Sequence, residues 1–359
     1  PFEPAAAPRG RRAADDAALA QAVARMVDAR APLMVVGGGA IDAAAEVAAL
    51  AERWDCPVVL TGNAKGVLPS SHPLCVGNLL VAPGVQAALE AADVVMVVGS
   101  ELSDADLYNG GRALAFQGDV VRIDIDAEQI ARRTQPTVGL VGDAALTLQA
   151  LAERLSHHLG DGPVERGGHA RDAELRGLAV QAARADLVPW VHALGAALPS
   201  DAIVALDSTQ LAYAAHVLLP CETPRSWLAP YGLGTLGCAL PMAVGAAVAA
   251  PDRPIIALAG DGGWLFTVSE MATAVDVGAN IVLVLWDNRG YGQIRVSFDD
   301  AGAVRTGVDV SSADPMAIAR GFGWAATSAD SPAALTEAVS AAVAAGGPQF
   351  VHVQAPIPH

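Results

Sequence analysis

The sequence predicts an α/β protein of two doubly wound domains, each a parallel sheet in a flavodoxin- or Rossmann-like three-layer sandwich. Three observations predict it. Apolar runs without polar alternation, such as LMVV (33–36), VVMVV (94–98) and IVLVLW (281–286), read as strands buried on both faces. They alternate with amphipathic stretches such as AAAEVAALAERW (43–54), the rhythm of βαβ units. That rhythm breaks once, in the polar, glycine-rich stretch 161–185, which divides the chain in two.

The elements follow in order. Residues 1–12, PFEPAAAPRGRR, read as a linker, and a helix starts near Asp15 and runs through Met26 and Val27. The strand in PLMVVGGGA (32–40) ends in Gly37, Gly38 and Gly39. After the helix 43–54 come the strand PVVLT (57–61), the helix VQAALEAA (85–92) and the strands DVVMVVGS (93–100) and DVVRIDID (119–126). These make a first domain over residues 13–160, followed by a linker over 161–185. The second domain, 186–359, opens with the helix WVHALGAAL (190–198) and the strand AIVALD (202–207). Next come the glycine-rich YGLGTLGCALPMAVGAAVA (231–249), the strand PIIALAGD (254–261) and the helix SEMATAVDVG (269–278). The strands IVLVLWDN (281–288) and PQFVHVQ (348–354) complete it.

Composition narrows the function classes. A chain of 359 residues is long enough for two ordinary cores. No apolar run reaches the ~18–20 residues of a membrane span, and the first residues lack a signal peptide's apolar segment. A cytoplasmic protein without a membrane partner is expected. A net charge of −16 argues against nucleic acid, which is bound by basic surface. Cys56, Cys75, Cys221 and Cys238 are scattered without a CxxC pair, so they read as buried, reduced thiols.

The chemistry concentrates in GDGGWLFTVSEMATAVDVGANIVLVLWDNRGYG, residues 260–292. Asp261 stands at the carboxyl end of a strand, where open parallel sheets place ligands. Gly260, Gly262 and Gly263 let a ligand come close to the backbone. A helix expected to begin near Thr267 or Ser269 would turn its N-terminal amides toward the same crevice, which suits a phosphate. The next strand ends in Asp287 and Asn288, followed by Gly290 and Tyr291. A carboxylate and an amide oxygen on neighbouring strand ends suit Mg²⁺, which takes few protein oxygens and several from phosphate. A lone GDG would be explained as a helix cap; the spacing of 27 residues between Asp261 and Asn288 is more specific.

That combination, with Glu270 in the intervening helix, resembles the thiamine-diphosphate (ThDP) signature of the pyruvate decarboxylase and acetolactate synthase superfamily. The resemblance implies two cofactors, ThDP and Mg²⁺, with the cation held by Asp261, Asn288 and the main chain of Gly290. It extends to Tyr231–Ala247, which is similar to the family's segment beside the thiazolium ring. Carried over residue by residue, Gly234 would accept a hydrogen bond from the aminopyrimidine, and Leu236 would be the apolar wedge beneath the cofactor, next to Thr235. Asp207–Gln210 matches the family position at the terminal phosphate, making Ser208 and Thr209 its hydroxyls. Residues 13–160 resemble the family's central domain, which binds FAD in some relatives. Here GSELSD (99–104) stands where the FAD-binding synthases carry an arginine, and Gly37–Gly39 lacks GxGxxG spacing, so FAD is not expected. Lys65 and His72, after the second strand, read as surface or capping residues, and Arg295 as solvated.

The resemblance covers two of the family's three domains. The pyrimidine-binding domain, home of the glutamate that activates the aminopyrimidine, has no counterpart in this sequence, so no catalytic residue is assigned and these residues alone are expected to be inactive. The expected function is decarboxylation of a small-molecule 2-oxo acid, with or without carboligation, in a homodimer or homotetramer that pairs this chain with a pyrimidine-binding domain. DSTQ, GSELSD and Ser226-Trp227 also resemble guanidino-oxopentanoate decarboxylase-like members. A non-catalytic nucleotide- or cofactor-binding module would share the fold.

Overall fold

A computed structural model of the chain describes residues 11–160, 162, 164–309 and 313–355. Of the expected N-terminal linker only Arg11 and Arg12 fall within them. Arg11 is ion-paired to Asp143 at 2.7 Å, and the Arg12 carbonyl accepts from the Asp143 amide.

Two six-stranded, all-parallel sheets organise the chain, with helices on both faces. The first holds β1 (Leu33–Val36), β2 (Val58–Leu60), β3 (Cys75–Gly77), β4 (Val94–Val98), β5 (Asp119–Asp124) and β6 (Val138–Val141), in the order β3-β2-β1-β4-β5-β6. The second holds β7 (Ile203–Leu206), β8 (Trp227–Leu228), β9 (Ile255–Gly260), β10 (Ile281–Asp287), β11 (Ala325–Ala329) and β12 (Gln349–Gln354), in the order β11-β12-β10-β9-β7-β8. Every residue of β1, β4 and β9 is buried, which is why their sequences are continuous apolar runs. Met34 and Val36 point to one core layer, Leu33 and Val35 to the other. No helix among the described residues is long and apolar enough to cross a membrane.

Strand order reverses direction between β1 and β4, where a doubly wound sheet can open a dinucleotide crevice. Here the glycines close that spot by packing on each other. A Cβ on Gly37 would lie 2.2 Å from the Gly99 carbonyl oxygen, and the Gly39 amide donates to the same oxygen. Gly37 and Gly39 are accounted for by close contact with the Gly99 backbone, and Gly38 by the Asn63 side chain.

The structure differs from expectation in four places. Within the expected linker, residues 164–185 carry helices Gly168–Arg176 and Ala179–Ala182 and are bound to the first domain. The Arg166 guanidinium donates to the carbonyls of Val27, Ala29 and Trp54, and Asp55 accepts from the Gly168 amide. Four arginines in a glycine-rich run look like a solvated linker by composition; here Arg166, Arg171 and Arg176 satisfy backbone carbonyls instead. Secondly, the helix expected near Ser269 is present as Glu270–Asp276 with Ser269 at its N-cap, but an additional six-residue helix, Asp261–Phe266, precedes it and begins at Asp261 itself. Thirdly, Lys65 is buried rather than superficial. Fourthly, Arg295 is only 5 % exposed and holds backbone, as described below. His72 is half-buried, and its Nδ1 accepts from the Leu74 amide in a turn. Cys56, Cys75 and Cys221 are buried and unpaired; Cys238 is partly exposed.

Candidate cofactor site at three neighbouring strand ends

The carboxyl ends of β7, β9 and β10 lie side by side. Leu206 of β7 pairs with Leu258 of β9, and Trp286 of β10 with Gly260 of β9. The segments that leave these ends are therefore neighbours: Asp207–Gln210, Asp261–Gly263 and Asn288–Tyr291. Sequence reading singles out all three, and the sheet register brings them to one edge.

Asp261 is 6 % exposed, and its Oδ2 accepts from the Gly290 amide at 2.7 Å. Burial, helped by the nearby charge of Asp287, raises its pKa to about 6. Asp287 meets the opposite outcome. Burial pushes its carboxyl up, but the His352 ring nitrogen at 2.8 Å and the Arg289 amide outweigh that and hold it below the usual range. Asn288 is buried; its Nδ2 donates to Gln210 Oε1 at 3.2 Å, while its Oδ1 has no partner. An orphaned buried amide oxygen is rare in folded proteins and calls for a specific occupant. It stands at the strand end next to a buried carboxylate that accepts from the Gly290 backbone amide. This donor pair fits a hard divalent ion. Among the described residues no three His, Cys, Asp or Glu side chains gather at one metal site, so further oxygens would come from the main chain and the ligand's phosphates.

The glycines mark close approaches. A Cβ on Gly262 would lie 2.6 Å from the Tyr291 ring, one on Gly263 2.5 Å from the Asp207 carboxylate, and one on Gly260 2.9 Å from Thr209 Oγ1. Gly290 has φ +152°, and a Cβ there would collide with the Arg295 guanidinium. That guanidinium donates to the carbonyls of Asn288 and Arg289 and to Asp309 Oδ1, fixing the turn between β10 and the helix Gly292–Asp300. Gln293, Ile294 and Phe298 lie on that helix.

The glycine-rich segment is fastened from below. Both carboxylate oxygens of Asp207, itself 1 % exposed, accept from the Gly237 amide at 3.0 and 2.9 Å. Thr267 Oγ1 donates to the Gly237 carbonyl at 2.7 Å. Ser208 Oγ donates to the Gly234 carbonyl at 3.1 Å, and Gly234 has φ +62°. Gly234 and Thr235 are exposed, Leu236 half-buried, and Leu233 beside them 95 % exposed. Sequence reading missed Asp207 and Gln210 as organisers. A buried Asp ending an apolar strand was the available signal for the first; nothing local marks Gln210, whose partner Asn288 is 78 residues away.

Comparison with known proteins agrees with this geometry. Residues 207–353 match the family model "Thiamine pyrophosphate enzyme, C-terminal TPP binding domain", and residues 19–151 match "Thiamine pyrophosphate enzyme, central domain". The chain is similar to a protein of Pseudomonas aeruginosa named probable 2-ketoarginine decarboxylase AruI, at 40 % identity over 86 % of this chain and 55 % of that one. It is also similar to the acetolactate synthase isozyme 1 large subunit of Escherichia coli, at 30 % identity over 98 % of this chain and 62 % of that one. The sulfoacetaldehyde acetyltransferase of Castellaniella defragrans is 30 % identical over 76 % of this chain and 51 % of its own. The chain thus spans between half and two thirds of the length of these relatives. With both family models on consecutive domains and the signature residues on adjoining strand ends, the chain belongs to the thiamine-diphosphate-dependent enzyme superfamily.

Proposed function

We propose that this chain supplies the diphosphate- and cation-binding half of the active site of a ThDP- and Mg²⁺-dependent, acetolactate synthase-like enzyme that decarboxylates a 2-oxo acid. The observation that carries the proposal is the pair of Asp261, a buried carboxylate bonded to backbone amides, and Asn288 Oδ1, buried without a partner, on adjoining strand ends. Asp261, Asn288 and the Gly290 main chain would hold Mg²⁺. Gly260, Gly262 and Gly263 let Thr209, Tyr291 and Asp207 pack against the turn whose backbone would meet the diphosphate, and the Ser208 and Thr209 hydroxyls would meet its terminal phosphate. The Gly234 carbonyl would accept from the aminopyrimidine in exchange for the Ser208 hydroxyl. Thr235, Leu236 and Tyr291 would bound the cofactor laterally. When bound, ThDP supplies the electron sink for loss of CO₂. The pyrimidine end would be completed by a pyrimidine-binding domain in a cytoplasmic homodimer or homotetramer. Transfer to a second carbonyl instead of protonation is the other outcome open to such a site.

One observation favours a narrower reading. The 40 % identity to the 2-ketoarginine decarboxylase stands above the 30 % to the synthase. A 2-oxo acid with a guanidinium tail would also be drawn toward a protein of net charge −16. Calorimetry with ThDP and Mg²⁺, and separately with NAD and FAD, tests the cofactor reading. ThDP binding that Asp261→Ala abolishes is the expected result; NAD or FAD binding indifferent to that change would sink it. CO₂ release from 5-guanidino-2-oxopentanoate and from pyruvate, measured with the chain paired to its pyrimidine-binding domain, then separates the two substrate readings.

A further inference from the structure

The loop after β2, Gly62–Gly66, leaves the first domain and enters the second. Lys65 is 4 % exposed, and its Nζ donates to the carbonyls of His216 at 2.7 Å and Ala215 at 3.2 Å. These are carbonyls of the last turn of the helix Gln210–Leu218, the negative end of its dipole. The same ammonium lies 3.9 Å from the centre of the Trp227 ring, a cation–π contact. The Trp227 indole N–H donates to His216 Nδ1 at 2.7 Å, and burial holds His216 well below its ordinary pKa, so it stays neutral beside the lysine. The His216 ring packs on Tyr231, 4.7 Å between centres. Tyr231 in turn rests on Gly62, where a Cβ would lie 1.7 Å from its ring, and its hydroxyl accepts from Asn78 Nδ2 at 3.1 Å.

Both segments gripped here lead into the cofactor site. The helix Gln210–Leu218 is about 13 Å long at 1.5 Å per residue. Its first end carries Thr209 against Gly260 and Gln210 against Asn288; its last end is held by Lys65. Tyr231 opens the segment that reaches Gly234 and Gly237. A buried lysine without a carboxylate is costly, and an apolar residue of similar size would serve stability as well or better. Stability therefore does not account for it; location does.

We infer that Lys65 is a positioning residue for the cofactor site: with Tyr231, it lets the first domain set the spacing between the helix Gln210–Leu218 and the glycine-rich segment 231–237. This rests on the ThDP reading above. Loss of the ammonium frees the far end of the helix, so Ser208, Thr209 and Gln210 drift relative to Gly234.

The test is calorimetric titration of the protein with ThDP at saturating Mg²⁺, beside urea unfolding. Lys65→Met is expected to weaken ThDP binding about tenfold through lost pre-organisation. Lys65→Arg, which keeps the charge, the donors and the stacking, should recover affinity to within about threefold of wild type. Leu148→Ala, a cavity in the core of the first domain, should lower stability and leave affinity within about twofold. Unchanged affinity in Lys65→Met, or an equal loss in Leu148→Ala, overturns the inference. Should Lys65→Met not fold, Tyr231→Phe decides on the same terms, since it removes only the hydroxyl contact to Asn78. A wild-type protein that binds no ThDP sinks the functional reading itself, and that outcome is seen before any variant is made.

Discussion

Asp261 and Asp287 stand one register step beyond Gly260 and Trp286 on paired strands, and their environments push them apart. Asp287 has His352 for a partner and stays ionised; Asp261 has only amides and is lifted toward neutral pH. A carboxylate kept where it is electrostatically uncomfortable costs stability. Asp261→Asn keeps the shape and an oxygen for the Gly290 amide but removes that repulsion. It should raise the stability of the protein without cofactor by about 1–2 kcal/mol, since one pKa unit is worth ~1.4 kcal/mol. It should also eliminate the stabilisation that ThDP and Mg²⁺ confer. Urea unfolding with and without both reads the two effects together; a variant less stable than wild type and still stabilised by ThDP would contradict the assignment. The role of Asp207 in clamping Gly237, by contrast, is visible only once the fold brings residues 30 apart into contact.

At the level of elements, legibility follows position in the sheet. All eight strands that sequence reading found lie inside a sheet, and the four it missed, β3, β6, β8 and β11, are the four edges. The cause is burial. An interior strand is covered on both faces and flanked by partners, so its residues must be apolar throughout. An edge strand needs neither; β11 reads AATSA and exposes three of its five residues, and β8 has two residues in all. The helix Gly292–Asp300 teaches a similar lesson. Charge suggests that Arg295 is solvated, yet it replaces water for the carbonyls of Asn288 and Arg289. Arg295→Met leaves the Asn288 carbonyl unpaired inside the protein, while the Arg289 carbonyl lies nearer solvent. A loss of about 1–3 kcal/mol is expected from one buried acceptor, together with weaker ThDP binding because the turn carrying Asn288 and Gly290 loses its brace. Denaturation midpoints and calorimetry would show both; unaltered stability would mean that water takes the guanidinium's place.

For the whole molecule, the balance of charge differs between surface and interior. The chain carries a net −16, while the contact between its two domains contains a lysine with no acid beside it. Burial lowers the Lys65 pKa to about 7. The consequence for stability has a definite sign. Below about pH 7 both folded and unfolded chains carry the proton, and the cost of burying the charge is present in full. Between about pH 7 and the ordinary lysine range the unfolded chain holds a proton that the folded one has shed, so this group's contribution improves as pH rises. Lys65→Met should therefore gain most over wild type in urea at pH 6 and least at pH 9. A constant difference across that range would show that Lys65 does not titrate there.

The sequence by itself determined the fold class, the central strands of both sheets and the family. Each of these depends on local pattern or fixed spacing: buried strands must be apolar, and a cofactor signature keeps its intervals. Only the tertiary structure decided that Asp207 clamps Gly237, that Gln210 orients Asn288, that the stretch after residue 161 is docked on the first domain, and that Lys65 crosses from one domain to the other. Those are polar contacts between residues distant in the chain, and a polar side chain carries the same letters whether water or a distant carbonyl satisfies it.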